Sequence, residues 1–258
     1  MGVIRTDRWM EEDFGRPEVF CKNIKQAGKD VKDFYRYLQS FGMYRPSGQS
    51  KQTFLSLKEK NAWEKIAALK AKYQKLWKGP DPDIYIFPIR AGNGFGFRKS
   101  RGKSGVTLPD AVFLFLGPVR DEKEWEALLI HEYHHAARMS RLKRPLMEYT
   151  LLDSLVFEGL AEHAVLEYLG EEYISGTSRL YTGRQKMQAW HRFFAENLER
   201  KKSEKIHDDL LFGRRYVPNM MGYALGYFLI EEFKNTHAFS TAKCIGLASE
   251  TFLTKNFK

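Results

Sequence analysis

Cysteine is nearly absent: Cys21 and Cys244 are the only two in 258 residues, far apart and without metal-type spacing. A disulfide scaffold is thereby excluded, and two reduced, buried thiols in a cytoplasmic protein are expected. No apolar run approaches the roughly 20 residues of a membrane span, so no membrane is expected as a partner. The opening residues, Met1-Gly-Val-Ile-Arg-Thr-Asp, contain no apolar segment of the signal-peptide kind, and secretion is not expected. Gly2 with Thr6 fits a loose myristoylation pattern that no other feature supports. Internal repeats and low-complexity tracts are missing. Acidic residues are in deficit, 32 against 42 Lys and Arg, for a formal charge of +10. The basic residues are scattered, as in Lys58-x-Lys60, Lys70-x-Lys72, Arg141-x-Lys143-Arg144 and Arg200-Lys-Lys202. They read as solvated helix faces; no nucleic-acid motif accompanies them, and nucleic acid is not expected as a partner.

What is present suffices for one large core or two lobes: 43% of residues are hydrophobic. After an arm over residues 1–15, apolar residues at helical spacing predict helices over 16–42 (Phe20, Ile24, Val31, Phe34, Leu38) and 52–77 (Leu57, Trp63, Ile66, Tyr73). Together, residues 1–80 read as a helical hairpin or brace. The composition then switches to β-branched and aromatic residues. Strands are expected at 84–87, 105–108 and 111–116, with Pro109-Asp110 as a turn and the glycine-rich 92–97 as a bent hairpin segment. No helix separates them, so a mixed or antiparallel sheet of three to four strands is predicted within 83–117. Helices follow at 121–140, capped by Asp121, at 148–170, 184–201 and 218–235, with a short piece at 204–212 and a last one at 240–253. The fold class is α+β and mainly helical. A sheet packs on the helix 121–140, a helical lobe over 184–254 follows, and the second domain spans 81–258.

Within the helix 121–140 stands His131-Glu132-x-x-His135. Residues four apart lie about 40° apart round a helix, so both imidazoles share a face and can ligate one metal ion. Glu132, about 100° round, can reach a water beside it. With seven His and 21 Glu in the chain, chance would place this pattern on the order of 0.02 times per chain. The pattern therefore needs a third ligand. A catalytic zinc takes three protein ligands and leaves one position open. The next predicted helix offers Glu158, with 22 residues between it and His135, enough for one helix to end and a second to return beside it. Glu162, one turn later, is placed to orient a ligating imidazole by hydrogen bonding.

The strings Ala127-Leu-Leu-Ile-His-Glu-Tyr-His-His, Phe157-Glu-Gly-Leu-Ala-Glu and Gly222-Tyr-Ala-Leu-Gly-Tyr resemble a bacterial family of predicted zinc-dependent proteases. Its domain is formally of unknown function, and some members carry a heat-shock regulator label. The His131-Glu-x-x-His135 and Glu158-Gly pattern also resembles the gluzincin metallopeptidases. The resemblance covers about 83–233 and implies a zincin-like domain with a Zn2+ ion on His131, His135 and Glu158. Glu132 would be the general base, peptide or unfolded protein the substrate, and Tyr223 the residue facing the cleft as a hydrogen-bond donor.

Strand 112–116 is expected to be the edge that aligns an extended peptide. Among other residues, Tyr227 reads as core and His134 as either a partly exposed histidine or one that supports a ligand side chain. His163 is a weaker candidate for the cleft wall. His191, His207 and His237 read as surface residues, Asp153 as a minor hydrogen-bond acceptor near the site, and Arg138 as the partner of a helix carboxylate ahead of a substrate carboxylate. A regulatory binding protein on the same scaffold is the alternative, and the retained Glu132 argues against it.

Overall fold

The computed structural model describes residues 2–90 and 102–257; the glycine-rich 92–97 lies outside them. The chain divides into two compact units, Met1–Ala136 and Ala137–Lys258.

The first unit opens with α1 (Thr6–Asp13) and the short α2 (Pro17–Phe20). The first residues are not a loose arm. Ile4 N donates to Ile84 O and Ile84 N to Gly2 O, at 2.9 Å each. The Thr6 hydroxyl donates to Ile86 O and accepts from Trp63 Nε1. The helix expected over 16–42 is broken. Two 3-10 turns, Cys21–Asn23 and Lys25–Ala27, follow α2, and α3 (Val31–Ser40) starts only after Gly28. Gly28 has φ 59° and ψ −137°, a conformation that disfavours any other residue, and Asp30 then caps α3 through Asp33 N. The helix expected over 52–77 is likewise two, α4 (Gly48–Glu59) and α5 (Ala62–Trp77), parted by Asn61 at φ 54°; asparagine tolerates the left-handed region.

Strands β1 (Asp83–Pro88), β2 (Lys103–Leu108) and β3 (Ala111–Leu116) form a sheet in the order β1-β3-β2. It is mixed: β3 pairs parallel with β1 and antiparallel with β2, around the turn where Asp110 takes φ 61°. β3 is thus the central strand, buried throughout, and not the edge expected from its sequence. An all-apolar run such as Ala111-Val-Phe-Leu-Phe-Leu marks a strand covered on both faces and says nothing about its lateral neighbours.

Helix α6 (Lys123–Leu142) begins where Asp121 Oδ1 accepts Lys123 N at 3.0 Å. α5 braces it: Tyr73 Oη donates to Glu126 Oε1 at 2.7 Å, and Trp77 stacks on Tyr133, whose hydroxyl donates to Pro80 O.

The second unit is helical: α7 (Leu151–Leu169), α8 (Gly183–Ala189), α9 (Lys205–Leu211), α10 (Met221–Thr236) and the short α11 (Thr241–Cys244). A capping box starts α7: Thr150 Oγ1 accepts Asp153 N, and Asp153 Oδ2 accepts Thr150 N. α7 and α10 meet backbone to backbone, because any Cβ on Gly159 would collide with Gly226 O and one on Gly226 with Leu155 O. Their apolar faces, with Leu155, Leu160, Leu225 and Leu229, form the unit's core beside Trp190 and Phe252. α8 runs into a π turn over Trp190–Phe194. The helix expected at 240–253 is interrupted after α11 and resumes only as a 3-10 turn, Ser249–Phe252. No helix among the described residues is long and apolar enough to cross a membrane.

Between α7 and α10, His163 is buried and stacks on Tyr227 with ring centroids 4.4 Å apart. Its Nε2 donates to Tyr227 O at 3.1 Å, so Nδ1 carries the lone pair. Burial pushes its pKa down from 6.5 to about 4. Between those values the unfolded chain binds a proton that the folded chain refuses. This stability is therefore complete above pH 6.5 and is lost as pH falls toward 4. Replacing His163 by Phe should reduce the stability lost between pH 7 and pH 5 by about 2 kcal/mol, measured by urea unfolding. An unchanged difference between the two pH values would contradict the assignment.

Candidate metal centre

His131 and His135 occupy successive turns of α6, and their rings meet edge to face with centroids 4.7 Å apart. Glu158 lies in the middle of α7. One ligand atom each from His131, His135 and Glu158 lies within 4.8 Å of the others, and none of the three is fully exposed. Two imidazoles and a carboxylate at this spacing suit one borderline ion such as zinc, which binds such atoms at about 2.0–2.2 Å and leaves a fourth position open. Hard, oxygen-preferring cations suit the two nitrogens poorly.

Glu132 is buried, and β2 accommodates it. Lys103, Gly105 and Thr107 alternate onto the strand face turned to α6. Lys103 Nζ pairs with Glu124 at 2.6 Å. A Cβ on Gly105 would stand 2.6 Å from Glu132 Cγ. Thr107 Oγ1 lies 2.7 Å from Glu132 Oε2 and 2.9 Å from its carbonyl oxygen, and donates there. The strand thus supplies a gap for the carboxylate and a hydroxyl that holds it. Neither residue was singled out by the sequence reading. The available signal was a glycine inside a strand, which marks a close approach. β2 is also the edge strand that β3 is not, since β3 is its only partner among the described residues.

The remaining expectations divide. Glu162 is buried, and its Oε2 accepts Ser175 N at 2.7 Å. Tyr223 stands half-buried in the first turn of α10, its ring 6.0 Å from that of Phe212. Tyr227 is buried and holds His163, as a core residue. His134 is completely buried rather than partly exposed, edge-on to Trp77 at 5.5 Å. His207 is not on the surface. It is fully buried, with Nε2 2.8 Å from Ser154 Oγ and Nδ1 2.9 Å from Asp208. This Ser-His-Asp chain has the order of a hydrolase triad, but His207 is sealed and the Ser154 amide is spent within α7 on Thr150 O; it ties α9 to α7. Asp153 serves the capping box, and Arg138 binds backbone carbonyls and a hydroxyl rather than a helix carboxylate. Both cysteines are free and buried. His191 and His237 are exposed.

Among known protein families, residues 62–254 match the one described as "Predicted Zn-dependent protease (DUF2268)". The chain belongs to this family. Its match spans β1 to β3, the three candidate ligands and α10. A curated relative, "Uncharacterized protein YjaZ" of Bacillus subtilis (strain 168), is 33% identical over 225 residues, covering 87% of this chain and 86% of the relative. No solved structure matches. Thr107 and Gly105 fall inside the region matched to the family. Thr107→Val, nearly equal in volume, removes a hydroxyl donor from the buried Glu132 and should lower the unfolding free energy by about 1–3 kcal/mol, read from urea titration. A urea midpoint unchanged in Thr107→Val would remove that hydrogen bond from the account of Glu132.

Proposed function

We propose that the chain is a zinc-dependent metallopeptidase of the gluzincin type that hydrolyses extended segments of peptide or unfolded protein. The observation that carries this reading is the meeting of His131, His135 and Glu158 within 4.8 Å. Membership of a family of predicted zinc-dependent proteases supports it. When bound there, zinc supplies Lewis acidity and lowers the pKa of water toward about 7.

The chain's own residues do the rest. Glu132, held by Thr107 and buried beside Gly105, accepts the proton of the attacking water and returns it to the leaving amine. The outer edge of β2, unpaired among the described residues and running past Glu132, hydrogen-bonds an extended peptide and sets its register. Tyr223 donates a hydrogen bond to the oxygen on which negative charge develops. Glu162 orients a ligand imidazole from the turn after Glu158. This division of labour explains why β2 keeps a glycine and a threonine on the face that meets α6. An apolar pair there would remove a donor from a buried carboxylate, at a cost of about 1–3 kcal/mol.

Metal analysis of the purified native chain and of Glu132→Gln, both assayed on an unstructured protein, tests the reading. Zinc at about one per chain is expected in both, with hydrolysis reduced at least a hundredfold in the variant. Native protein without zinc, or a variant with native activity, overturns it.

A further inference from the structure

We infer that Arg138 is a positioning residue for the metal centre: through the C-terminal segment and α7 it fixes the rotation of α6 about its own axis. The inference rests on the metallopeptidase reading, since it concerns the helices that carry the ligands.

Arg138 lies on α6, three residues after His135, and is fully buried. Its Nη1 donates to Ile245 O at 3.0 Å and to Leu247 O at 2.9 Å, and its Nη2 donates to Ser249 Oγ at 3.0 Å. Ser249 Oγ in turn donates to Asp153 Oδ1 at 2.5 Å. The other carboxylate oxygen, Oδ2, accepts from Thr150 N at 2.9 Å, Thr150 Oγ1 at 3.2 Å and Arg144 Nη1 at 2.6 Å. A continuous chain of hydrogen bonds therefore runs from α6, through residues 245–249, to the N-terminal capping box of α7. Glu158 follows Asp153 on that helix. A second, direct route exists: the guanidinium sits 5.3 Å from the ring of Phe157, the residue before Glu158, and 5.9 Å from that of Phe252.

The cost of this arrangement points to its purpose. A fully buried cation is expensive to desolvate, and an apolar residue of similar volume would give α6 an equally good or better packing energy. Apolar packing, however, tolerates a helix rotating by several degrees, whereas bonds to two carbonyls and a hydroxyl in a planar fork do not. A ligand set must be held to within about 0.5 Å and 10–20°. The interruption of the C-terminal helix has the same origin. The Ile245 and Leu247 carbonyls, which an uninterrupted helix would use internally, are turned to the guanidinium. Helix α6 is continuous from His131 through Arg138, so a fixed Arg138 fixes the direction of His135 one turn earlier.

The test uses the full chain as Arg138→Lys, Arg138→Met and Ser249→Ala. Zinc affinity is measured by competition with a chromophoric chelator, folding by circular dichroism and urea titration, and hydrolysis at saturating zinc. Folded Arg138→Lys and Ser249→Ala should bind zinc at least tenfold more weakly than native protein, with kcat lowered and KM little changed. Combining Ser249→Ala with Asp153→Asn should add little to the loss of zinc affinity from Ser249→Ala alone, because both break one chain of bonds. If Arg138→Met fails to fold, Ser249→Ala decides. Zinc affinity and kcat within twofold of native in the folded variants, with only the urea midpoint lowered, reduces Arg138 to a packing role and overturns the inference while leaving the metallopeptidase reading intact. Hydrolysis retained by Glu132→Gln removes the peptidase reading but leaves the zinc titration decisive for Arg138. Native protein that binds no zinc overturns both.

Discussion

A buried carboxylate against a sheet is the constraint from which the first unit follows. Glu132 lies on the face of α6 that meets β2, and a carboxylate there needs both space and a hydrogen-bond donor. Gly105 leaves the space, Thr107 gives the donor, and the pleat of β2 places both on the same side. Antiparallel pairing with β3 fixes that register, since a slip of one residue would turn Gly105 and Thr107 away from the helix. The opposite flank of α6 is secured by Tyr73, Trp77 and Pro80. Residues before the sheet thus hold the helix that carries the two histidines.

The second unit answers a different demand. As a proposed metal ligand, Glu158 needs a helix that does not shift. α7 has a capping box at its start, no side chain at Gly159 where α10 crosses, and a buried arginine network at its N-terminal end. Each device exchanges apolar packing, which tolerates sliding, for contacts with a single geometry. The same preference recurs in the Ser154–His207 bond, which ties α9 to α7 through a sealed imidazole.

Much of this was legible in the sequence because it is local. The His131 and His135 spacing, the apolar strand runs, the turn at Pro109-Asp110 and the start of α6 at Asp121 all depend on neighbours within a few residues. Glu158 was legible because its distance from His135 allows for one helix reversal. What escaped depends on partners far along the chain. Gly28 and Asn61 break helices whose apolar periodicity is otherwise good, since φ beyond 0° leaves no trace in hydrophobic spacing. The central position of β3 follows from a parallel partner 28 residues earlier, and no strand announces its lateral order. His207 looks like a surface residue, and Arg138 like the partner of a helix carboxylate, until Ser154 and the Ile245, Leu247 and Ser249 groups come to meet them. Thr107 is an ordinary strand residue by composition, and only the helix lying over it gives it a role.

We propose that two helices bring two imidazoles and one carboxylate to a single zinc ion. X-ray absorption at the zinc edge, on native chain loaded with one equivalent and on His135→Ala treated alike, tests it most directly. A first shell of nitrogen and oxygen only, at about 2.0–2.2 Å, is expected, with two imidazole scattering patterns in the native chain and one in the variant. Sulfur at about 2.3 Å, or a spectrum unchanged by the loss of His135, would contradict it.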